Sequence, residues 1–345
     1  MRRRLVVFGI TGQLGRELLE RLDERGWPLD EVVGVASPDS VGETFELRGE
    51  VFDVASEWPA LKGHDLVIVC TRGGAALEIV REALRAGVPC LDCTGALVDR
   101  PEVPLARLRR ASGAEDEALA EAPLLALPSP TTLAWARVLE ALSEAAGVRR
   151  VVGTVLSSAG LHGRSGLASL SEESIALFNQ SETPETGPAG QPVAFDVIPG
   201  GGVDTARVRQ ELARLFGTDL AVDVFGVQVP TFVGEGSALS LELDRPIERD
   251  ALVERLTAAE GLVVVPEGPG ARGLEVVPES LEEGAWPAGP TLRDALGSGD
   301  VLVGRIEPAP AWPAGQGFRL WLATDPLRLA AEQALRLAAL RLGLD

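Results

Sequence analysis

The sequence predicts an α/β chain of two domains. A parallel sheet covered by helices is expected over residues 1–130. An α+β domain should follow over 131–323, and a closing helix in 324–345 is expected to return to the first domain. Three observations lead there. Short, continuous apolar runs alternate with amphipathic stretches in the first part of the chain. A glycine-rich turn joins the first run to the first amphipathic stretch. Beyond about residue 150 the strands lengthen and begin to alternate apolar with polar residues.

Leu5–Phe8 is the first apolar run, followed by the turn and an amphipathic helix from about Gln13 to Arg25. Val32–Ala36 and Leu66–Cys70 read as further strands, and a helix from about Ala75 to Ala86 follows the second. Val88–Asp92 and Pro123–Leu127 complete the series. Strands this apolar need cover on both faces, which a parallel sheet between helix layers provides. A helix from about Thr131 to Ala146 leads out of this domain.

Val151–Ser157, Ala221–Val229 and Ala238–Leu243 alternate. Alternation suits a mostly antiparallel sheet with one face covered by helices. Those helices fit about Ser165–Asn179, Asp204–Phe216 and Glu248–Ala258. Ser181–Gln191 and Pro266–Arg272 read as loops. Val301–Ile306 and Phe318–Ala323 are the last strands, and Leu327–Leu342 is an amphipathic helix.

The 345 residues suffice for about two domains with a sizeable core. A net charge of −19 opposes phosphate backbones and anionic membrane surfaces, so neither nucleic acid nor membrane is expected as a partner. The basic start, MRRR, precedes an apolar run too short for a signal peptide. No stretch approaches the ~18 apolar residues of a membrane span. Three Cys without a secretion signal point to a reducing compartment, so a cytoplasmic location is expected.

The sharpest local signal is Gly9-Ile-Thr-Gly12-Gln-Leu-Gly15, set between a strand and a helix. Glycines there allow a tight turn and let backbone N–H groups approach a pyrophosphate at the helix N-terminus. A Rossmann-like domain is therefore expected, with Gly9, Thr11, Gly12, Gln13, Leu14, Gly15, Ser37 and Asp39 as cofactor-binding candidates. The bland alternative is a strand–helix turn without a ligand. Reductases that relay a proton through Tyr are excluded, because the chain has no Tyr.

Cys90 and Cys93 have the spacing of a redox or metal pair. They lie on a predicted strand, where alternation sends them to opposite faces, ~10 Å apart. Cys90 reads as core, and Cys93, at the strand's carboxyl end, as a possible reactive thiol. His64 and His162 are far apart, so no metal spacing exists and no metal is expected. His64 is expected to be exposed. His162 lies in a Gly-rich stretch and faces either solvent or a cleft.

Taken together, GITGQLG at Gly9–Gly15, VASPDSVGE at Val35–Glu43, TRGGA at Thr71–Ala75, LDCTGAL at Leu91–Leu97 and LPSPTT at Leu127–Thr132 form an ordered series. It continues with SSAGLHG at Ser157–Gly163, FDVIP at Phe195–Pro199, VPTFVGEGSALSLEL at Val229–Leu243, VGRIE at Val303–Glu307 and TDPLRLAA at Thr324–Ala331. In order and spacing the series resembles the aspartate-semialdehyde dehydrogenase family, and its Usg-like paralogues most of all. The resemblance implies an N-terminal Rossmann-like domain, a C-terminal α+β dimerisation domain and a homodimer.

It also implies a reaction in which a Cys thiolate, a His acid/base, an orienting Gln and anion-binding Arg residues act with NADP. Carried onto this chain, those roles fall on other residue types. The nucleophile falls at Pro130, the orienting Gln at about Thr154, the carboxylate-binding Arg at Gln228 and the acid/base His at about Glu235. The phosphate-binding Arg falls at about Val98 and a cofactor-proximal Asn at about Ala334. Where the family presents cations to the 2′-phosphate of NADP, this chain has Asp39 and Glu43. NAD is therefore favoured over NADP, and the chain could also bind neither. The resulting expectation is a homodimer without dehydrogenase activity. The alternative is an NAD(P)-dependent oxidoreductase acting on an aldehyde or acyl phosphate, such as aspartate-semialdehyde dehydrogenase itself, with Cys93, Glu235 or His162 recruited if its chemistry has changed.

Overall fold

The computed structural model describes residues 3–71, 73–106, 113–182, 187–266 and 289–344. They divide into two compact units, Met1–Leu133 with Leu327–Asp345, and Ala134–Pro326. The loop expected at Pro266–Arg272 lies almost wholly outside the described residues, as do residues 183–186 of the Ser181–Gln191 loop.

The first unit opens with β1 (Arg3–Phe8), α1 (Gln13–Arg25) and β2 (Leu29–Val35). α1 buries Gly15, Leu18, Leu19 and Leu22, the i, i+3, i+4, i+7 stripe of a helix with one face on a core. It stops at Gly26, whose left-handed φ of 60° suits a glycine C-cap. A hairpin follows, β3 (Thr44–Leu47) and β4 (Glu50–Asp53), and then β5 (Leu66–Val69). α2 (Gly74–Ala86), β6 (Cys90–Asp92), α3 (Gly113–Glu121) and β7 (Leu124–Ala126) complete the series. The strands form a parallel sheet in the order β2-β1-β5-β6-β7. β1 has β2 on one side and β5 on the other, so the strand order reverses at the carboxyl end of β1. Open α/β sheets bind ligands at such a point.

α4 (Pro130–Ser143) leads into the second unit. There β8 (Val148–Ser157), α5 (Gly163–Phe178), β9 (Ile198–Pro199), α6 (Thr205–Phe216), β10 (Ala221–Gln228) and β11 (Glu235–Leu243) follow in turn. α7 (Arg249–Ala258), β12 (Leu262–Val264), β13 (Val301–Pro308) and β14 (Gly317–Thr324) come next, then α8 (Pro326–Leu342). The seven-stranded sheet runs β12-β13-β14-β11-β8-β10-β9. It is mixed: β8–β10 and β12–β13 are parallel and the other four pairings antiparallel.

One face of this sheet packs on helices. Trp135 of α4 lies over Gly153, where a Cβ would come within 2.4 Å of its ring, and its Nε1 donates to Ser237 Oγ at 2.9 Å. The other face is open. Asp223, Phe225 and Ala238 on it are exposed, and Phe225 is 53% exposed.

Beyond the elements read from the sequence, residues 44–53 form a hairpin, residues 113–121 a helix and residues 262–264 a strand. His64 is not exposed: its side chain is only 5% accessible, with Nδ1 3.0 Å from Leu61 O. No helix among the described residues is long and apolar enough to cross a membrane.

Candidate functional site

In the first unit the candidate site is the carboxyl end of β1. Gly9 has φ +85°, and a Cβ on it would lie 2.8 Å from Thr71 N. A Cβ on Gly15 would lie 2.3 Å from Gly9 O, so only glycine lets α1 sit this close to the turn. Gly12 is the N-cap of α1 and brings no side chain to cap it. The first-turn N–H groups and the positive helix end thus face the position where a pyrophosphate binds such a turn. Thr11, Gln13 and Leu14 are half-buried around it. The pattern fits a dinucleotide: small residues where close approach is needed and no capping side chain in the way.

The loop after β2 is seated on this turn. Ser40, 8% exposed, places its Oγ 3.2 Å from Thr11 Oγ1. Ser37 and Asp39 point outward and are exposed. Arg16 spans the two segments. Its Nε donates to Thr11 O at 2.9 Å and its Nη2 to Glu43 Oε2 at 2.9 Å. A groove of about 540 Å³ runs along α1 past Thr11, Arg16 and Thr44.

Two cysteines meet at the carboxyl ends of β5 and β6. The hydrogen bond with Cys70 is the main cause holding the Cys93 thiol well above its usual range, with burial and the Asp92 carboxylate adding to it. Burial and the same carboxylate push Cys90 up as well. Thiols so held are protonated at neutral pH and are poor nucleophiles. Cys90 is core, at 2% exposure. Asp92 is fully buried. Its Oδ1 accepts from Thr94 N at 2.9 Å and Thr94 Oγ1 at 2.6 Å.

Pro130 is the first residue of α4, where proline's missing N–H costs nothing. Ser129 before it donates through Oγ to Thr132 Oγ1 at 2.9 Å. Val98 is half-buried in a turn closed by Val98 N to Gly95 O. Ala334 is fully buried on α8 and offers no polar group.

In the second unit, register gathers a polar row. Gln228 on β10 pairs with Ser157 on β8, which pairs with Glu235 on β11, which pairs with Thr324 on β14. All four are buried, with Gln228 and Ser157 at 1% exposure. His162, at the start of α5, places Nε2 2.9 Å from Gln228 Oε1. Gly201 and Gly202 close over the row: a Cβ on Gly202 would be 2.8 Å from Ser157 Oγ. Such a row can hold and orient a polar group, and its imidazole can move a proton. Thr154 is not part of it. Its register partners, Phe225 and Ala238, are exposed residues of the open face, because an odd offset from Ser157 reverses a strand side chain.

Residues 4–108 match the family model described as semialdehyde dehydrogenase, NAD binding domain. Aspartate-semialdehyde dehydrogenase of Synechocystis sp. is 28% identical over 350 residues, covering 98% of this chain and 96% of its own. That of Corynebacterium glutamicum is 28% identical, covering 95% of each. The structure of aspartate semialdehyde dehydrogenase II from Vibrio cholerae complexed with ASA superposes with a TM-score of 0.85 at 25% identity, over 99% of both chains. In domain model, sequence and fold, the chain is similar to the aspartate-semialdehyde dehydrogenases. A probable aspartate-semialdehyde dehydrogenase from Pseudomonas aeruginosa gives 0.83 at 25% identity. The α/β architecture with a parallel first sheet and a mixed second sheet is that of these relatives.

The expected residues thus fall into separate groups. The glycine-turn residues are together in the first unit, and the loop that carries Ser37 and Asp39 touches them through Ser40. Gln228 and Glu235 are together in the second, and Thr154 is on the opposite face of the same sheet. Sequence reasoning did not find the pairing of His162 with Gln228, 66 positions apart, or that of Arg16 with Glu43, 27 apart. Neither leaves a spacing signal, because each depends on how strands and loops align in space.

Proposed function

We propose that this chain is a homodimeric, cytoplasmic relative of aspartate-semialdehyde dehydrogenase that binds a nicotinamide nucleotide, NAD in preference to NADP, and lacks the dehydrogenase activity. One observation carries the loss of activity. The position that the family resemblance assigns to the nucleophile holds Pro130, and all three cysteines of the chain are elsewhere. A thioester needs a thiolate at that place, matched to a base. The base position holds Glu235 and the carboxylate-binding position Gln228, so the charges that would bind an anionic substrate are absent there as well.

The glycine turn supports nucleotide binding, and Asp39 supports NAD, since an acid near the ribose accepts a hydrogen bond from a free 2′-hydroxyl and repels a phosphate. The open sheet face supports the dimer, because Phe225, 53% exposed on it, gains from being covered. Neither nucleic acid nor membrane is a partner in this reading.

A second reading has one observation in its favour. The His162–Gln228 hydrogen bond at 2.9 Å fixes an imidazole beside a buried polar row, an acid/base group that an oxidoreductase of altered chemistry would use. The test is an assay of NAD and NADP reduction with aspartate semialdehyde and inorganic phosphate, beside a calorimetric titration with each dinucleotide. NAD binding without turnover is the expected result. Turnover of about 1 s⁻¹, ordinary for an enzyme, refutes the loss of activity.

A further inference from the structure

The loop of residues 37–43 contains two acids and no Lys or Arg. It nevertheless has a cation within reach. Arg16 follows the last glycine of the turn directly, at the start of α1, and extends to Glu43. Its other hydrogen bond, to Thr11 O, ties it to the turn itself. The guanidinium therefore stands between the pyrophosphate-binding turn and the segment that contacts the adenosine ribose in this fold. The two side chains are 53% and 36% exposed, so the ion pair is solvent-accessible and weakly held.

Arginine is the side chain best suited to a phosphate, which it binds through two parallel N–H bonds. Here that capacity is engaged by a carboxylate. The net charge offered to a 2′-substituent by Arg16, Asp39 and Glu43 together is negative, even though a phosphate-binding group is present.

We propose that the Arg16–Glu43 ion pair is the determinant of dinucleotide choice in this chain: Glu43 occupies the guanidinium that would otherwise bind the 2′-phosphate of NADP. The proposal rests on the nucleotide-binding reading of the first unit and adds to it the residues that set its selectivity. It implies that the preference for NAD, to which Asp39 also contributes, is held chiefly by Glu43 and not by the lack of a cation. Removing that acid exposes an NADP site already present in the chain.

The experiment is isothermal calorimetry with NAD and NADP on the full chain and four variants: Glu43→Gln, Asp39→Asn, Arg16→Met and the Glu43→Gln/Arg16→Met double variant. Glu43→Gln should tighten NADP binding about tenfold, or about 1.4 kcal/mol, and change NAD binding less than about twofold. The gain should disappear in the double variant. Asp39→Asn removes the same charge and frees no cation, so its gain should be clearly smaller. The NADP gain should also shrink as salt is raised.

Equal gains from Glu43→Gln and Asp39→Asn, or a gain that survives Arg16→Met, overturn the proposal in favour of a general charge effect. NAD binding by the unaltered chain with no gain in Glu43→Gln overturns the ion-pair proposal alone. If neither the chain nor any variant binds either dinucleotide, the nucleotide-binding reading falls too.

Discussion

Glu173 on α5 is fully buried, and every part of its carboxylate has a partner. Oε1 accepts from Ser169 Oγ at 2.6 Å, and Oε2 accepts from Val193 N at 2.6 Å and Ala194 N at 2.9 Å. Burial raises its pKa, but the three hydrogen bonds outweigh that and hold it below the ordinary carboxylate value. Glu173→Ala leaves the Val193 and Ala194 amides buried without acceptors, at about 1–3 kcal/mol each, and removes packing as well. A loss of about 3–5 kcal/mol is expected, a large share of the 5–15 kcal/mol typical of a domain. Glu173→Gln keeps one acceptor and should lose less. Because the folded pKa is depressed, the carboxylate's contribution is fully present above the unfolded value of ~4.3 and is lost as pH falls through the lower folded value. Urea unfolding at pH 7 and in steps below pH 5 measures the energy, and hydrogen exchange at the two amides reports the local effect. A loss below about 1 kcal/mol in the Ala variant, with both amides still protected, would refute the reasoning. The staple also matters for the polar row, since residues 193–194 lead into β9 and the glycines that cover Gln228 and Ser157.

Pro130→Cys alone should not give aspartate-semialdehyde dehydrogenase activity. An isolated thiol is mostly protonated at pH 7, and groups that act as a unit do not recover singly. An assay with aspartate semialdehyde, phosphate and NADP decides it, and turnover near 1 s⁻¹ would show an otherwise intact site. Gly15→Ala should lower the melting temperature by about 3–8 °C, because the new Cβ would lie 2.3 Å from Gly9 O and the turn must shift. It should also weaken dinucleotide binding, and calorimetry showing unchanged affinity would count against the turn as the binding element. Light scattering at micromolar concentration should give twice the monomer mass of 36.3 kDa, and Phe225→Glu should shift the chain toward the monomer by about 2–4 kcal/mol. A monomer before substitution would remove the dimer from the proposed function.

The first unit's strand–turn–helix was legible because its signals are local. Apolar run, glycines and 3.6-residue periodicity sit within 25 residues, and the expected helix bounds, Gln13 and Arg25, are those observed. The hairpin of residues 44–53 was hidden by its turn. Arg48 and Gly49 both take positive φ, 57° and 76°, as a two-residue type I′ turn requires, but arginine is not a residue that announces such a turn. The parallel pairing of β8 with β10 was illegible for another reason: it depends on which strand returns beside which, and alternation does not encode that. The same holds for the candidate site. Gln228 and Glu235 were marked through resemblance, and Thr154 with them. Only register shows that Ser157 stands in their row and Thr154 behind it.

α8 has a consequence for how the chain is made. Leu329, Ala334, Leu335 and Leu337 are fully buried, and the helix counts with the first unit although the whole second unit precedes it. A ribosome that has released residue 133 must add about 210 more before this helix is complete. At ~5–20 residues per second, that is a delay of about 10–40 s in which the first sheet lacks part of its cover. Arg3 donates through its guanidinium to Leu342 O, so the two ends of the unit already lie side by side. A circular permutant that places residues 327–344 ahead of Arg3 would make the unit continuous in synthesis, removing the wait and the exposed apolar surface that goes with it.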